Sequence, residues 1–289
     1  MSIRLENVTY TYMQGTPYER VALQGINLEI KPGEFVGIIG HTGSGKSTLV
    51  QHFNGLLKPS SGNVRIDDID LHQNKNEAKQ AKKKVGMVFQ YPEHQLFEET
   101  VFADIAFGPR NIGLSEEEIE IRVRKAMQFV GLEYDAVANR SPFQLSGGQM
   151  RRIAIAGVIA TEPEYLILDE PSAGLDPQGR REIFSQIKEL HIATGNSVIL
   201  VTHNMEDILQ LATRLIVMDN GQVVLDNSPE NLFWNHQNQL QAAGVDVPHI
   251  ISLLQKLRSA GLKIGECQLN AESVAEAVCE ALGREKNDQ

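Results

Sequence analysis

Phe35-Val36-Gly37-Ile38-Ile39, an unbroken apolar run, leads straight into Gly40-His41-Thr42-Gly43-Ser44-Gly45-Lys46-Ser47. The first stretch suits a strand buried on both faces of a sheet. The second fits G-x-x-x-x-G-K-[ST], the Walker A loop. Glycines let backbone N–H groups turn inward around phosphate oxygens, and the N-terminus of the following helix adds partial positive charge. Lys46 then reaches the β- and γ-phosphates, and the Ser47 hydroxyl ligates Mg²⁺. A helix from about Lys46 to Phe53, stopped near Gly55, completes the context. A chance glycine-rich turn would not bring a buried strand before it and a helix after it.

Tyr165-Leu166-Ile167-Leu168-Asp169-Glu170 is another apolar strand, ending on two acids. Ligands gather at the C-terminal ends of strands in α/β sheets. Asp169 is expected to hold the Mg²⁺ shell through water. Glu170 is expected to polarise the attacking water as general base. Alone, Glu170 reads equally well as a surface acid; beside the Walker A loop the catalytic reading leads. Leu145-Ser146-Gly147-Gly148-Gln149 precedes a helical run, Met150 to Ala160. Ser146 is placed as an N-cap, and the two glycines expose backbone N–H groups at the helix start. The chain thus carries a second anion site, which an ordinary P-loop ATPase does not need.

The 289 residues suffice for one large α/β domain with a small appendage. A formal net charge of −10 argues against nucleic acid as a partner. Cys267 and Cys279 are too far apart for a C-x-x-C motif and read as reduced thiols. The N-terminus lacks the layout of a signal peptide. The longest apolar stretch, Ile153 to Ala160, is far short of the ~20 residues that cross a bilayer. Membrane association is therefore expected through a partner.

Along the chain, strands are expected up to Ile30, then at Gly62 to Ile66, Val85 to Phe89, Ser197 to Thr202, Leu215 to Met218 and Gln222 to Leu225. Lysine-rich Lys75 to Lys84 reads as a solvated helix face or loop. From Tyr91 to Ala160 the pattern is helical. Ser115 and Glu118 make a capping box, and Ile119, Val123, Ala126, Met127 and Val130 follow at helical spacing. After Pro229 the composition shifts. Ile250, Leu253, Leu254 and Leu257, then Val274, Ala275, Val278 and Leu282, predict two short amphipathic helices in a separate C-terminal appendage.

These motifs, in this order, resemble the ATP-binding cassette (ABC) family over roughly residues 3 to 230. Leu145 to Gln149 looks like its signature motif. Gln90 resembles the Q-loop glutamine, Ser172-Ala173-Gly174-Leu175-Asp176 the D-loop, and His203 the switch histidine. Tyr12 resembles the aromatic that stacks on adenine, although neighbouring Tyr10 is an alternative. By themselves Gln90 and His203 would be unremarkable polar residues at strand ends. The resemblance implies an α/β P-loop NTPase core at residues 1–235, with an N-terminal antiparallel β-subdomain and an inserted α-helical subdomain at about 91–160. Residues 236–289 would form a short helical extension that contributes to pairing.

The family resemblance also implies a site. Two cassettes pair head to tail, sandwiching each ATP between one chain's Gly40 to Thr48 and the other's Leu145 to Gln149. Asp176 lies at the subunit boundary. Glu170 acts as base, His203 contacts the γ-phosphate, and Gln90 touches Mg²⁺ or the attacking water. The metal would be held by Ser47, Gln90 and Asp169. His41 falls at a position variable in the family and receives no catalytic role.

Within the family, Gln90-Tyr91-Pro92-Glu93-His94-Gln95-Leu96-Phe97 and Thr100-Val101 to Phe107-Gly108-Pro109 resemble the energy-coupling factor (ECF) transporter ATPases of vitamin, cobalt or nickel uptake. The resemblance is closest to the second ATPase of a two-ATPase module. It implies a peripheral subunit on the cytoplasmic face of the cell membrane, bound to an integral membrane coupling subunit that serves a substrate-binding membrane subunit. Its pairing partner is a related chain, or an identical one. Leu96, Phe97, Phe102 and Phe107 would lie where the coupling helices dock, or simply form subdomain core. An ATPase of another ABC importer, for amino acids or metals, is the alternative, and a soluble cassette acting on DNA or ribosomes a remoter one. The former often carries a strand-containing C-terminal domain, and the latter coiled coils, zinc modules or fused cassettes.

Overall fold

The computed structural model describes residues 2–265 and 269–283; Cys267 lies outside them. The chain begins with β1 (Ile3–Tyr12) and β2 (Arg20–Ile30), which pair antiparallel with Ile3 opposite Ile30. β3 (Phe35–Ile39) is buried at every position and feeds α1 (Lys46–Phe53). β4 (Ser61–Ile66) and β5 (Ile69–Asp70) follow, then α2 (Lys75–Lys82) and β6 (Val85–Val88). α2 buries Ala78 and Ala81; Lys75 and Lys79 face outward as expected, while Lys82 is half-buried and donates from Nζ to Gly55 O at 2.9 Å.

A helical block then interrupts the sheet-forming chain. After a 3₁₀ turn at Pro92–Gln95 come α3 (Val101–Ile112), α4 (Glu116–Phe129), α5 (Tyr134–Val137), a second 3₁₀ turn at Pro142–Gln144, and α6 (Gly147–Ile159). α4 starts where its capping box predicts: Glu118 N donates to Ser115 Oγ, and Ser115 N donates to Glu118 Oε2 at 2.9 Å. Ile119, Val123, Ala126, Met127 and Val130 are all buried.

The chain returns to sheet with β7 (Tyr165–Asp169), α7 (Pro177–Thr194), β8 (Ser197–Val201), α8 (Met205–Leu211), β9 (Arg214–Asp219) and β10 (Gln222–Asn227). It closes with α9 (Pro229–Asn235), α10 (Gln237–Ala242), α11 (His249–Ser259) and α12 (Ala271–Ala281).

Two sheets result. One is antiparallel, in the order β2-β1-β4-β5; the other runs β10-β9-β3-β8-β7-β6, parallel except for edge strand β10. β3, β7 and β8 send alternate residues to two cores. Phe35, Ile39, Leu166 and Leu168 pack with the helical block. Val36, Ile38, Tyr165 and Ile167 pack with α1 and the antiparallel sheet. This two-sided burial is why these strands read as continuous apolar runs.

Packing continues across residue 235. Leu232, Phe233, Leu240, Ala243, Val245 and Ile251 all join the larger core, and a smaller cluster forms only around Leu254, Ile264 and Val274. The chain after Pro229 is therefore not a separate appendage along its whole length. The two amphipathic helices form, and Ile250, Leu254, Leu257, Val274 and Val278 pack as expected, while Leu253, Ala275 and Leu282 do not. α11 buries Ile251 and Leu254 while Leu253 stays about half exposed; α12 buries Val274 while Ala275 and Leu282 face out. Period alone fixes a stripe only to within a residue when its packing partner is unknown.

Candidate nucleotide site

The central strand β3 ends at the loop. Gly40 has φ +150° and Gly45 φ +105°; a Cβ on them would come 2.2 Å from Met218 O and 2.6 Å from Ala22 O. Neither position has room for a side chain. Lys46 is buried and donates from Nζ to Gly40 O at 2.8 Å and His41 O at 3.0 Å. Burial pushes its ammonium below the usual lysine value, while Glu170 and Asp169 oppose that shift. Ser44 Oγ is buried without a hydrogen-bond partner, whereas Thr42, Gly43 and Ser47 lie at the surface. The loop thus gathers a cation, an orphaned hydroxyl and the helix N-terminus, a set suited to phosphate oxygens.

Asp169 ends β7, next to β8 and two strands from β3, so the acids and the loop share one edge of the sheet. Asp169 is buried, and burial raises its pKa above the usual aspartate value; a hydrogen bond with Ser47 and the charge of Lys46 act against that. A buried carboxylate tied to a serine hydroxyl is the donor set a divalent cation would take. Glu170 sits at φ +50°, a left-handed conformation rare for a residue with a side chain. Its carboxylate lies between two other expected residues. Gln90 Nε2 donates to Oε2 at 3.1 Å, and His203 Nδ1 donates to Oε1 at 3.3 Å. Gln90 is followed by another strained residue, Tyr91 at φ +55°. Such outliers persist only where surrounding structure enforces them, and they cluster at functional sites.

The tyrosines of β1 separate. Tyr10 is half-buried, edge-on to His52 at 5.0 Å between ring centroids, and packs against the second core. Tyr12 is 38% exposed, and its hydroxyl lies 3.1 Å from Thr48 Oγ1 in the first turn of α1.

The signature residues stand at the head of α6. Ser146 Oγ accepts from Gln149 N, and Gln149 Oε1 accepts from Ser146 N at 3.1 Å. Gly147 and Gly148 are exposed, with nothing within 4 Å of a Cβ on either. Among the described residues no hydrogen bond joins Leu145–Gln149 to the phosphate loop. Asp176 caps α7, Oδ1 accepting from Gly179 N at 2.7 Å. A groove of about 370 Å³ is lined by Leu96, Phe97, Asp104, Phe107, Ile112 and Val158. Phe97 and Phe107 are exposed and meet edge-on at 4.9 Å. Phe102 instead packs on the main core, beside Tyr134.

Arg20 and Asp219 neighbour the site and escape sequence reading, as do the partners that His41 and Arg151 take. Arg20 approaches the loop, its Nη2 lying 3.1 Å from where a Cβ on Gly43 would be. His41 Nδ1 donates to Thr42 O at 2.8 Å while Nε2 faces Asp219 Oδ1 at 2.9 Å. Buried Arg151 pairs with Glu93. The one available signal was for Asp219, which ends an apolar strand as Asp169 does.

Phosphate loop, acidic strand end and helix-capping signature on this two-sheet scaffold are the parts of an ATP-binding cassette. The ABC transporter family model matches residues 23–173, and the chain belongs to that family. Within it, the chain is 56% identical over 266 residues to the energy-coupling factor transporter ATP-binding protein EcfA2 of Clostridium tetani, covering 92% of each chain. It is 53% identical to the protein of that name from Caldanaerobacter subterraneus over 287 residues, 99% of this chain and 100% of the relative. Among solved structures, cbiO1 from Clostridium perfringens, described as part of the ABC transporter complex cbiONQ, superposes with a TM-score of 0.72 at 38% identity. The match covers 88% of this chain and 98% of that one. The dimeric bacterial ABC transporter cassette MJ0796 gives 0.71 at 34% identity, over 78% and 98%. The chain is thus an ATP-hydrolysing transport subunit of the energy-coupling factor class. Among the described residues no helix is long and apolar enough to cross a membrane.

Proposed function

We propose that this chain supplies half of each ATP site in a head-to-tail cassette pair that drives a micronutrient importer. The observation that carries it is the Glu170 carboxylate, held between Gln90 and His203 beside Asp169. Gly40 to Thr48 hold the triphosphate, Tyr12 stacks on the adenine, and Leu145 to Gln149 with Asp176 complete the site of the partner chain. Water attacks the γ-phosphorus in line, its proton passing to Glu170, as the bond to the β,γ-bridging oxygen breaks and ADP leaves, while His203 orders the γ-phosphate.

Asp169, Ser47 and Gln90 would hold Mg²⁺, which when bound neutralises phosphate charge. Among the described residues no group of three or more His, Cys, Asp or Glu could hold a metal unaided. Opening and closing of the pair moves a membrane subunit whose helices enter the groove at Phe97 and Phe107. The designation EcfA2 of the relatives favours a related, non-identical second ATPase; a membrane coupling subunit and a position on the cytoplasmic face of the membrane complete the proposed assembly. Residues 236–289 assist pairing.

Glu170→Gln is expected to retain ATP binding, trap the pair closed and lower phosphate release at least a hundredfold, on the order of what general-base catalysis contributes. Steady-state phosphate release and size-exclusion chromatography with ATP check this. Unchanged release would remove Glu170 as the base.

A further inference from the structure

Two links join the segment after β6 to the turn after β7. One is Gln90 to Glu170. The other runs through Arg151, inside α6 and 2% exposed. Its Nε and Nη2 donate to Glu93 Oε2 and Oε1 at 3.1 and 3.2 Å, a two-pronged pair, and its Nη1 donates to Ala173 O. No step of the hydrolysis described above uses this arginine. Burying a guanidinium carries a desolvation penalty of roughly several kcal/mol, balanced only by good geometry and full hydrogen bonding. Here three segments provide that geometry: the signature helix, the 3₁₀ turn at Pro92–Gln95 that runs into Leu96 and Phe97, and the turn between Glu170 and Asp176. A lysine, with one compact charge, could not span both carboxylate oxygens and the carbonyl.

We propose that Arg151 is a positioning residue for hydrolysis, fixing the groove-lining segment to the turn that carries Glu170 and Asp176. The proposal rests on the cassette reading above. A shift of Leu96 and Phe97 moves Glu93, and through Arg151 it moves Ala173. The backbone at Glu170 is already held in a rare conformation, so a small displacement of that turn re-aims its carboxylate. Arg151 makes no hydrogen bond to the phosphate loop or to Tyr12, so the chain's own contacts with ATP are left alone. Occupancy of the groove and aim of the base therefore become one variable.

The test uses the full chain, purified with its pairing cassette and membrane subunit, as wild type, Glu93→Gln, Arg151→Lys and the double variant. Each single change is expected to leave KM for ATP within about twofold and to lower kcat on the order of ten- to a hundredfold, the effect of misplacing a reacting group. The double variant should be no slower than the worse single one, because both break the same link. Wild-type kcat in folded Glu93→Gln would overturn the proposal, as would a KM that rises in step with the loss of kcat, or losses that multiply in the double variant. Should Arg151→Lys fail to fold, Glu93→Gln decides alone, since its side chain lies nearer the surface and keeps its shape. A wild-type complex without ATPase activity would overturn the functional reading and this one together. Active wild type with unaffected variants overturns only the role of Arg151.

Discussion

Tyr10 and Tyr12 lie two residues apart on β1, and their surroundings distinguish them. Tyr10 is engaged with His52 and the second core, whereas Tyr12 presents its ring beside the phosphate loop and is steadied by Thr48. Tyr12→Phe keeps the ring and loses one neutral hydrogen bond, about 0.5–1.5 kcal/mol. A few-fold weakening of ATP binding is expected. Tyr12→Leu removes the stacking face, about 1–3 kcal/mol per base, so binding should weaken roughly 5- to 150-fold. Titration with a fluorescent ATP analogue separates the two. Equal losses would assign the effect to the hydroxyl, and an equal loss in a Tyr10 variant of unchanged melting temperature would move the role to Tyr10.

At the scale of an element, α1 ties the phosphate loop to the antiparallel sheet through a histidine. His52 Nδ1 donates to Thr48 O at 2.7 Å, and its Nε2 is buried without a partner. Burial lowers its pKa below the usual histidine value, outweighing the bond to Thr48. His72, on the same side, is lowered by burial and then by Lys82. A histidine that binds its proton less readily when folded than when unfolded leaves more protons on the unfolded chain. Stability is then full above the unfolded value, about 6.5, and declines as pH falls below it. Thermal melting should therefore drop between pH 7.5 and 5.5, and His52→Gln should flatten that slope. A slope unchanged in the variant would place the sensitivity elsewhere. How readable an element was depended on its length and its surroundings. β3, β7 and β8 announce themselves because both their faces are buried, and α4 and α6 because their caps are spelled in sequence. β5 has only two residues and no period to detect. In α11 the expected Leu253 gives way to Ile251, because the contacts of the stripe, Trp234 among them, come from another helix.

For the whole molecule, the phosphate loop and the signature belong to different layers, one at the end of β3 and the other at the head of α6. On the proposed function, a single chain presents two half-sites. Ser146→Arg would remove the cap of α6 and place charge where the partner's ATP lies. It is expected to leave the chain's own ATP affinity within about twofold while abolishing ATP-dependent pairing, by the logic that a ligand shifts only the equilibrium it distinguishes. Light scattering with and without ATP, alongside nucleotide titration, checks it; pairing that survives would mean that the signature is not a contact. The residues of the site were legible because glycine-lysine loops and acids at strand ends carry local patterns. Their arrangement was legible only in part. The approach of Gln90 to Glu170 follows once β6 and β7 are neighbours, but the reach of Arg151 across 58 positions to Glu93 depends on how a helix packs, which no local pattern records.

The left-handed backbone at Glu170 also bears on inheritance. Glycine is at ease where this residue is strained. Every glutamate codon is one base change from a glycine codon, so a mutation that deletes the proposed base also relaxes the chain. Loss of hydrolysis is thus genetically near and eases the backbone at the very position it alters, so in a pair of non-identical cassettes one member could drift to silence while its fold, its ATP binding and its partnership persisted.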